Sequence, residues 1–233
     1  NHILVSEWCD PQVSIPAGFN IDFMIHIGQK CYSTLFFPKG TPWQGNNPNP
    51  DKECYFDRNG KGNLEKFIDV YAENYAKTKN DGYIAIPTAN HDFQRPNVGS
   101  RNTPEQLKVT MTFSLTMPGV PFIYYGDEIG MKYQMNLPSK EGSRERAGTR
   151  TPMQWTNGAN ARFSTVSDAS KLYFPVDTEN GKLTVETQEA DKASMLNYVR
   201  TLLKLRAENP ALGNDADWQL LNVKGGQVYP MVY

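Results

Sequence analysis

Two groups of residues in this sequence could carry proton chemistry. Glu7 closes the apolar run Ile3 to Ser6 and is followed by Trp8. A carboxyl at the end of a buried strand, beside a large apolar ring, is partly desolvated, and desolvation favours the protonated form that a proton donor needs. Asn90-His91-Asp92 follows a second apolar run, Tyr83 to Ile86, after the extension Pro87-Thr88-Ala89. It brings a second carboxylate and an imidazole to the end of another strand. Asn and Asp at such a place equally suit a helix N-cap or an Asx turn. Taken together, Glu7 and Asp92 are a pair of carboxyls fit for acid–base and electrostatic catalysis.

The elements that must position these residues alternate. Ile3 to Ser6, Phe19 to Ile25, Tyr83 to Ile86 and Val120 to Tyr125 read as buried strands, each short, apolar and bounded by turn residues. Leu64 to Lys77 places Leu64, Phe67, Ile68, Tyr71 and Tyr75 on one helical face, and Gly82 closes the turn after it. Thr103, Pro104 and Gln106 supply an N-cap, a first-turn proline and a capping-box partner, opening a helix that must end by Pro118-Gly119. A last helix fits Ala193 to Glu208, with Pro210 as its stop. Strand and helix in alternation imply right-handed crossovers and a parallel sheet, either a barrel or a doubly wound sheet. Pro38 to Asn63 and Asp127 to Asp191 interrupt the scheme as long polar stretches after strands, where barrels keep function. Trp218 to Val223 and Gln227 to Tyr233, around Lys224-Gly225-Gly226, read as a hairpin opening a further domain.

The totals exclude several classes. Twenty-four Lys and Arg against 25 Asp and Glu give a net charge of -1, with no block of like charge to track nucleic acid or an anionic membrane. Cys9, Cys31 and Cys54 form neither a disulfide framework nor a zinc pattern. No apolar run approaches the roughly 20 residues of a membrane helix, so the chain reads as soluble, with its compartment open. Ile3-Leu4-Val5 starts a core strand almost at Asn1, from which a missing N-terminal part is expected.

Val5-Ser6-Glu7-Trp8, Asn90-His91-Asp92 and Gly119-Val120-Pro121-Phe122-Ile123-Tyr124-Tyr125-Gly126-Asp127-Glu128 occur in an order that resembles glycoside hydrolase family 13, the α-amylase family. Arg150-Thr151-Pro152-Met153-Gln154-Trp155 is similar to a segment of its oligo-1,6-glucosidases, α-glucosidases and trehalose synthases. The resemblance implies that residues 1–212 are the C-terminal half, strands five to eight, of a (β/α)8 TIM barrel. It makes 127–191 a long insertion, and 213–233 the beginning of a C-terminal β-sandwich domain.

The resemblance also implies roles. Glu7 matches the general acid/base and Asp92 the carboxylate that stabilises the oxocarbenium-like transition state. His91, Arg150 and Arg146 match residues that bind the sugar, and Trp8 and Trp43 are candidates to stack on it, with Trp155 equally suited to packing. Asp127-Glu128 matches a structural turn. The family's nucleophilic aspartate belongs to strand four, and Asp10, Asp22 and Asp127 do not match its place. The chain alone is therefore expected to be inactive, and either to associate with a missing N-terminal half or to self-associate. Two departures bear on substrate preference: Ser6 stands where the family commonly has glycine, and Arg162 precedes Phe163-Ser164 where glycine is usual.

The function implied is retaining hydrolysis of α-1,4 or α-1,6 glucosidic bonds in gluco-oligosaccharides. Trehalose synthase or another glucosyl transferase of the family is the alternative, and a non-catalytic relative serving as a binding or scaffold domain is the rival from another class. The resemblance requires no cofactor and allows calcium, which no residue pattern here indicates; the residues themselves present no metal site.

Overall fold

The computed structural model describes residues 2–25, 30–36, 54–57, 64–140, 144–178, 183–221 and 231–233. Among them, three parallel strands form a sheet in sequential order: β1 (Val5–Ser6), β2 (Ile21–Phe23) and β3 (Tyr83–Ala85). Val5 pairs with Ile21 and Ser6 with Asp22, while Ile21, Asp22 and Phe23 pair with Tyr83, Ile84 and Ala85. The segment after Gly119 continues the order beyond β3. Val120 donates to the Ile84 carbonyl, Thr88 donates to the Phe122 carbonyl, and Pro87 bridges Phe122 in parallel.

Two expected strands differ from their reading as buried elements. Ile3 and Leu4 are largely exposed, with 73% of the Ile3 surface accessible, because β1 is the edge of the described sheet and none of the described residues covers its outer side. Val120 to Tyr125 joins the sheet through one bridge rather than a ladder and is half-buried. Pro121 has no amide to donate there, and Phe122 to Tyr124 have no described strand on their far side.

Helices α1 (Pro11–Ser14), α2 (Ser33–Phe36) and α3 (Glu65–Thr78) precede β3. Helix α4 (Pro104–Thr116) follows it, and α5 (Arg144–Ala147), α6 (Val185–Ala190) and α7 (Met195–Glu208) complete the order. In α3 the predicted face is the one that packs: Phe67, Ile68 and Tyr71 are buried with Leu64 just ahead of them. In α4 the capping box forms as expected, with the Thr103 hydroxyl accepting from the Gln106 amide and the Gln106 side chain accepting from the Thr103 amide. Such a cap contributes about 1 kcal/mol.

The largest core joins sheet to helices through aromatic rings. Phe113 of α4 packs on Phe36, Phe56 and Phe67, with centroids 5.3 to 6.1 Å apart. A smaller core seats α7 on α4 through Leu107, Met111, Leu115, Val199 and Leu202. Gly119, at φ +100, lets the chain pass over the sheet, since a Cβ there would lie 2.0 Å from the Ile84 carbonyl oxygen. Trp43 and the turn Lys224-Gly225-Gly226 lie outside the described residues. Of the expected hairpin, the Leu221 amide donates to the Val232 carbonyl, and Trp218 packs edge-on against Tyr71.

Candidate active site

Parallel strands bring their C-terminal ends to one side, so Glu7 after β1 and Asn90-His91-Asp92 after β3 meet. Ligand atoms of Glu7, His91 and Asp92 all lie within 4.8 Å of one another. A cleft of about 250 Å³ opens between Glu7, Phe23, His91, Phe122 and Tyr124, with Pro87 and Ala89 at its wall.

Asn90 makes the Asx turn. Its side-chain oxygen accepts from the Asp92 amide at 2.7 Å and from the Phe93 amide at 3.1 Å, which fixes the backbone that presents His91 and Asp92. The Asx-turn reading of Asn90 is thus met, and it leaves the side chains of His91 and Asp92 together beside Glu7.

Asp92 Oδ1 is the focus of the charge. Arg150 Nη2 donates to it at 3.1 Å, Arg146 Nε lies 3.0 Å away, and His91 Nε2 lies 3.5 Å away. The Arg146 contact is an ion pair without hydrogen-bond alignment. Two guanidiniums on one carboxylate oppose a third cation there, so the cluster suits polar substrate groups better than a metal.

Glu7 and Trp8 are both exposed, Trp8 at 70%. The apolar cover that the sequence promised Glu7 is therefore not supplied by Trp8, whose ring turns to solvent next to an edge strand. Ser6 is buried, and its hydroxyl accepts from the Trp8 amide at 2.9 Å, a bond a glycine there could not make. Arg162 has φ 58 and follows Asn160 and Ala161 at φ 52 and 51, the left-handed region where glycine is at ease.

Two buried charges behind the site hold it in ways the sequence did not indicate, Arg95 unremarked there and Asp22 weighed only as a nucleophile. Arg95 is fully buried, pairs with Asp127 Oδ1 at 2.9 Å, and donates to the carbonyls of Tyr125 and Thr149. Its guanidinium also lies 4.9 Å and 4.8 Å from the ring centres of Tyr124 and Tyr125. Burial pushes the Asp127 carboxyl up to about 6, against the pull of Arg95 and of the Thr88 hydroxyl. Asp127 is structural, as its turn position implied, and Arg95 ties that turn to the backbone just before Arg150. Asp22 is the second charge, buried on β2 beneath the Glu7 turn. A lone Asp inside an apolar run was the only signal for it.

The family model described as the α-amylase catalytic domain matches residues 47–215, a span that includes Asp92, Arg146 and Arg150. The chain belongs to the α-amylase family. That domain is a TIM barrel, and the family's curated relatives found here are glycosidases and trehalose synthases. The chain is 30% identical over 184 residues to Alpha-amylase 3 of Dictyoglomus thermophilum, covering 78% of this chain and 34% of that protein. It is 34% identical over 150 residues to the trehalose synthase/amylase TreS of Mycobacterium tuberculosis, covering 59% and 24%. The trehalulose synthase of Pseudomonas mesoacidophila shares the fold with a TM-score of 0.56 at 24% identity, over 65% of this chain and 33% of that one. The chain thus spans about a third or less of the length of these relatives. Among the described residues no helix is long and apolar enough to cross a membrane.

Proposed function

We propose that this chain carries the acid/base half of a retaining α-glucosidase- or α-amylase-type site acting on α-1,4 or α-1,6 glucosidic bonds. The convergence of Glu7, His91 and Asp92 within 4.8 Å at the strand ends carries the reading. In the first step Glu7 gives its proton to the glycosidic oxygen as the bond to the anomeric carbon breaks and a carboxylate nucleophile forms a glucosyl ester. In the second, Glu7 takes a proton from water as water displaces the ester. Asp92, oriented by Arg146 and Arg150, accepts hydrogen bonds from sugar hydroxyls that strengthen as the ring flattens. His91 and Arg150 add donors on the same side, and Trp8 offers an exposed ring for stacking.

Of the carboxylates weighed for the nucleophile, Asp22 and Asp127 are buried and engaged in the scaffold, and Asp10 does not match the family's place for it. The reading therefore assigns the nucleophile to polypeptide outside these 233 residues, makes residues 1–212 strands five to eight of the barrel, and leaves 213–233 as the start of a β-sandwich. The exposed Ile3, Leu4 and Val5 would pack against that other half, or against a second copy where the half is absent. The chain alone is then inactive. The 34% identity to TreS favours a second reading, in which the same glucosyl-enzyme is passed to a sugar instead of water.

The test compares Glu7→Gln with the parent in the completed barrel on maltose and on α-glucosyl fluoride, whose leaving group needs no proton. A loss of roughly a hundredfold or more in kcat/KM on maltose, with kcat/KM on the fluoride, which reports only the first step, largely spared, supports the role of Glu7. Equal losses on both substrates would refute it.

A further inference from the structure

Asp22 has no solvent exposure, lies opposite Ser6 in the sheet, and uses each of its carboxylate oxygens to hold one amide of the turn that follows Glu7. One oxygen accepts from the Cys9 amide at 3.2 Å and from the Phe23 amide at 2.9 Å. The other accepts from the Asp10 amide at 2.9 Å and from the Ser14 hydroxyl at 2.6 Å. The Trp8 amide is held by Ser6, so the three amides after Glu7 are all bound by side-chain oxygens rooted in β1 and β2. Cys9 sits at φ 65, a left-handed conformation that a non-glycine residue keeps only where its surroundings impose it. The two amides converging on Asp22 are what impose it here. Glu7 and Trp8 project to solvent from a turn whose backbone amides are tied down.

We infer that Asp22 is a positioning residue for the proton donor: it fixes the turn that aims Glu7 and does not itself meet the sugar. The inference rests on the assignment of Glu7 above. An asparagine of the same shape has one acceptor oxygen in place of two, and its amide group would face donors on one side. The side chain then keeps the acceptor for only one of the two turn amides, Cys9 or Asp10, and the Glu7 carboxyl loses its fixed distance from the glycosidic oxygen. Misplacement by 1 Å costs roughly a hundredfold in rate, so partial loosening should cost on the order of tenfold.

The experiment measures kcat/KM on maltose and on α-glucosyl fluoride for Asp22→Asn and Ser14→Ala in the completed barrel, with Glu7→Gln alongside. Asp22→Asn should lower the maltose-to-fluoride ratio about tenfold, and Ser14→Ala, which removes one bond to the same carboxylate, should lower it by a smaller factor. A merely structural Asp22 would reduce both substrates together and leave the ratio unchanged, which overturns the inference. If Asp22→Asn does not fold, an unchanged ratio in Ser14→Ala overturns it equally. A shifted ratio in Glu7→Gln with none in the other variants sinks this inference alone; no shift in Glu7→Gln sinks the assignment beneath it.

Discussion

Arg150 bonds Asp92 and the backbone beside it at once: Nη2 donates to Asp92 Oδ1 at 3.1 Å and Nε to the His91 carbonyl at 2.8 Å. A planar fork can make both bonds from one rigid group, whereas a lysine ammonium on a flexible stem cannot. Arg150→Lys should therefore lower kcat/KM on maltose by about tenfold to a hundredfold in the completed barrel, with little change in Tm. Steady-state kinetics beside a thermal melt checks both halves.

Arg95 and Asp127 form a buried pair with no exposed atoms on either side chain. Removing Arg95 alone leaves the Asp127 carboxylate buried without its counter-charge. Arg95→Leu should cost about 3 to 5 kcal/mol in urea denaturation, and Arg95→Leu with Asp127→Leu should cost less than the single change.

Burial pushes the thiols of Cys31 and Cys54 from the ordinary 9.0 up to about 12. Both should resist a thiol reagent at pH 8 in the folded protein and react in denaturant, as a labelling time course would show. The sign for stability follows from linkage: a thiol whose folded pKa is the higher binds its proton more tightly when folded. Its contribution is complete below about pH 9 and is lost as pH rises toward 12, so urea midpoints should fall across that window.

Arg162 stands at φ 58, in the left-handed region that favours glycine. Arg162→Gly removes left-handed strain of about 1 to 2 kcal/mol, partly offset by the looser unfolded chain. A net gain of up to about 1 kcal/mol should raise Tm by a few degrees.

Local chemistry was legible in the sequence where a few neighbours decide the outcome. Thr103, Pro104 and Gln106 mark the start of α4 because a capping box is complete within four residues. Helix α6 was hidden, since Val185 to Ala190 has no apolar stripe and is anchored instead by Gln188, which donates to the Ile129 carbonyl and accepts from the Leu196 amide. The roles of Arg95 and Asp22 were missed for a related reason: a charged residue type says nothing of whether distant amides and carboxylates will surround it. The exposure of Ile3 and Trp8 is a matter of sheet order, which depends on pairing between segments and not on the run itself. The meeting of Glu7 with His91 and Asp92 was legible because parallel strands place their ends together whatever lies between.

The proposed function places the acid/base side of a site in this chain and its nucleophile on other polypeptide. Release of p-nitrophenol from p-nitrophenyl α-glucoside tests it most directly, measured for the 233-residue chain and for the same chain extended N-terminally to complete the barrel. The account predicts no release by the chain alone, and release by the extended form that Arg150→Lys weakens. Release by the 233 residues alone would contradict it, and so would silence from both forms.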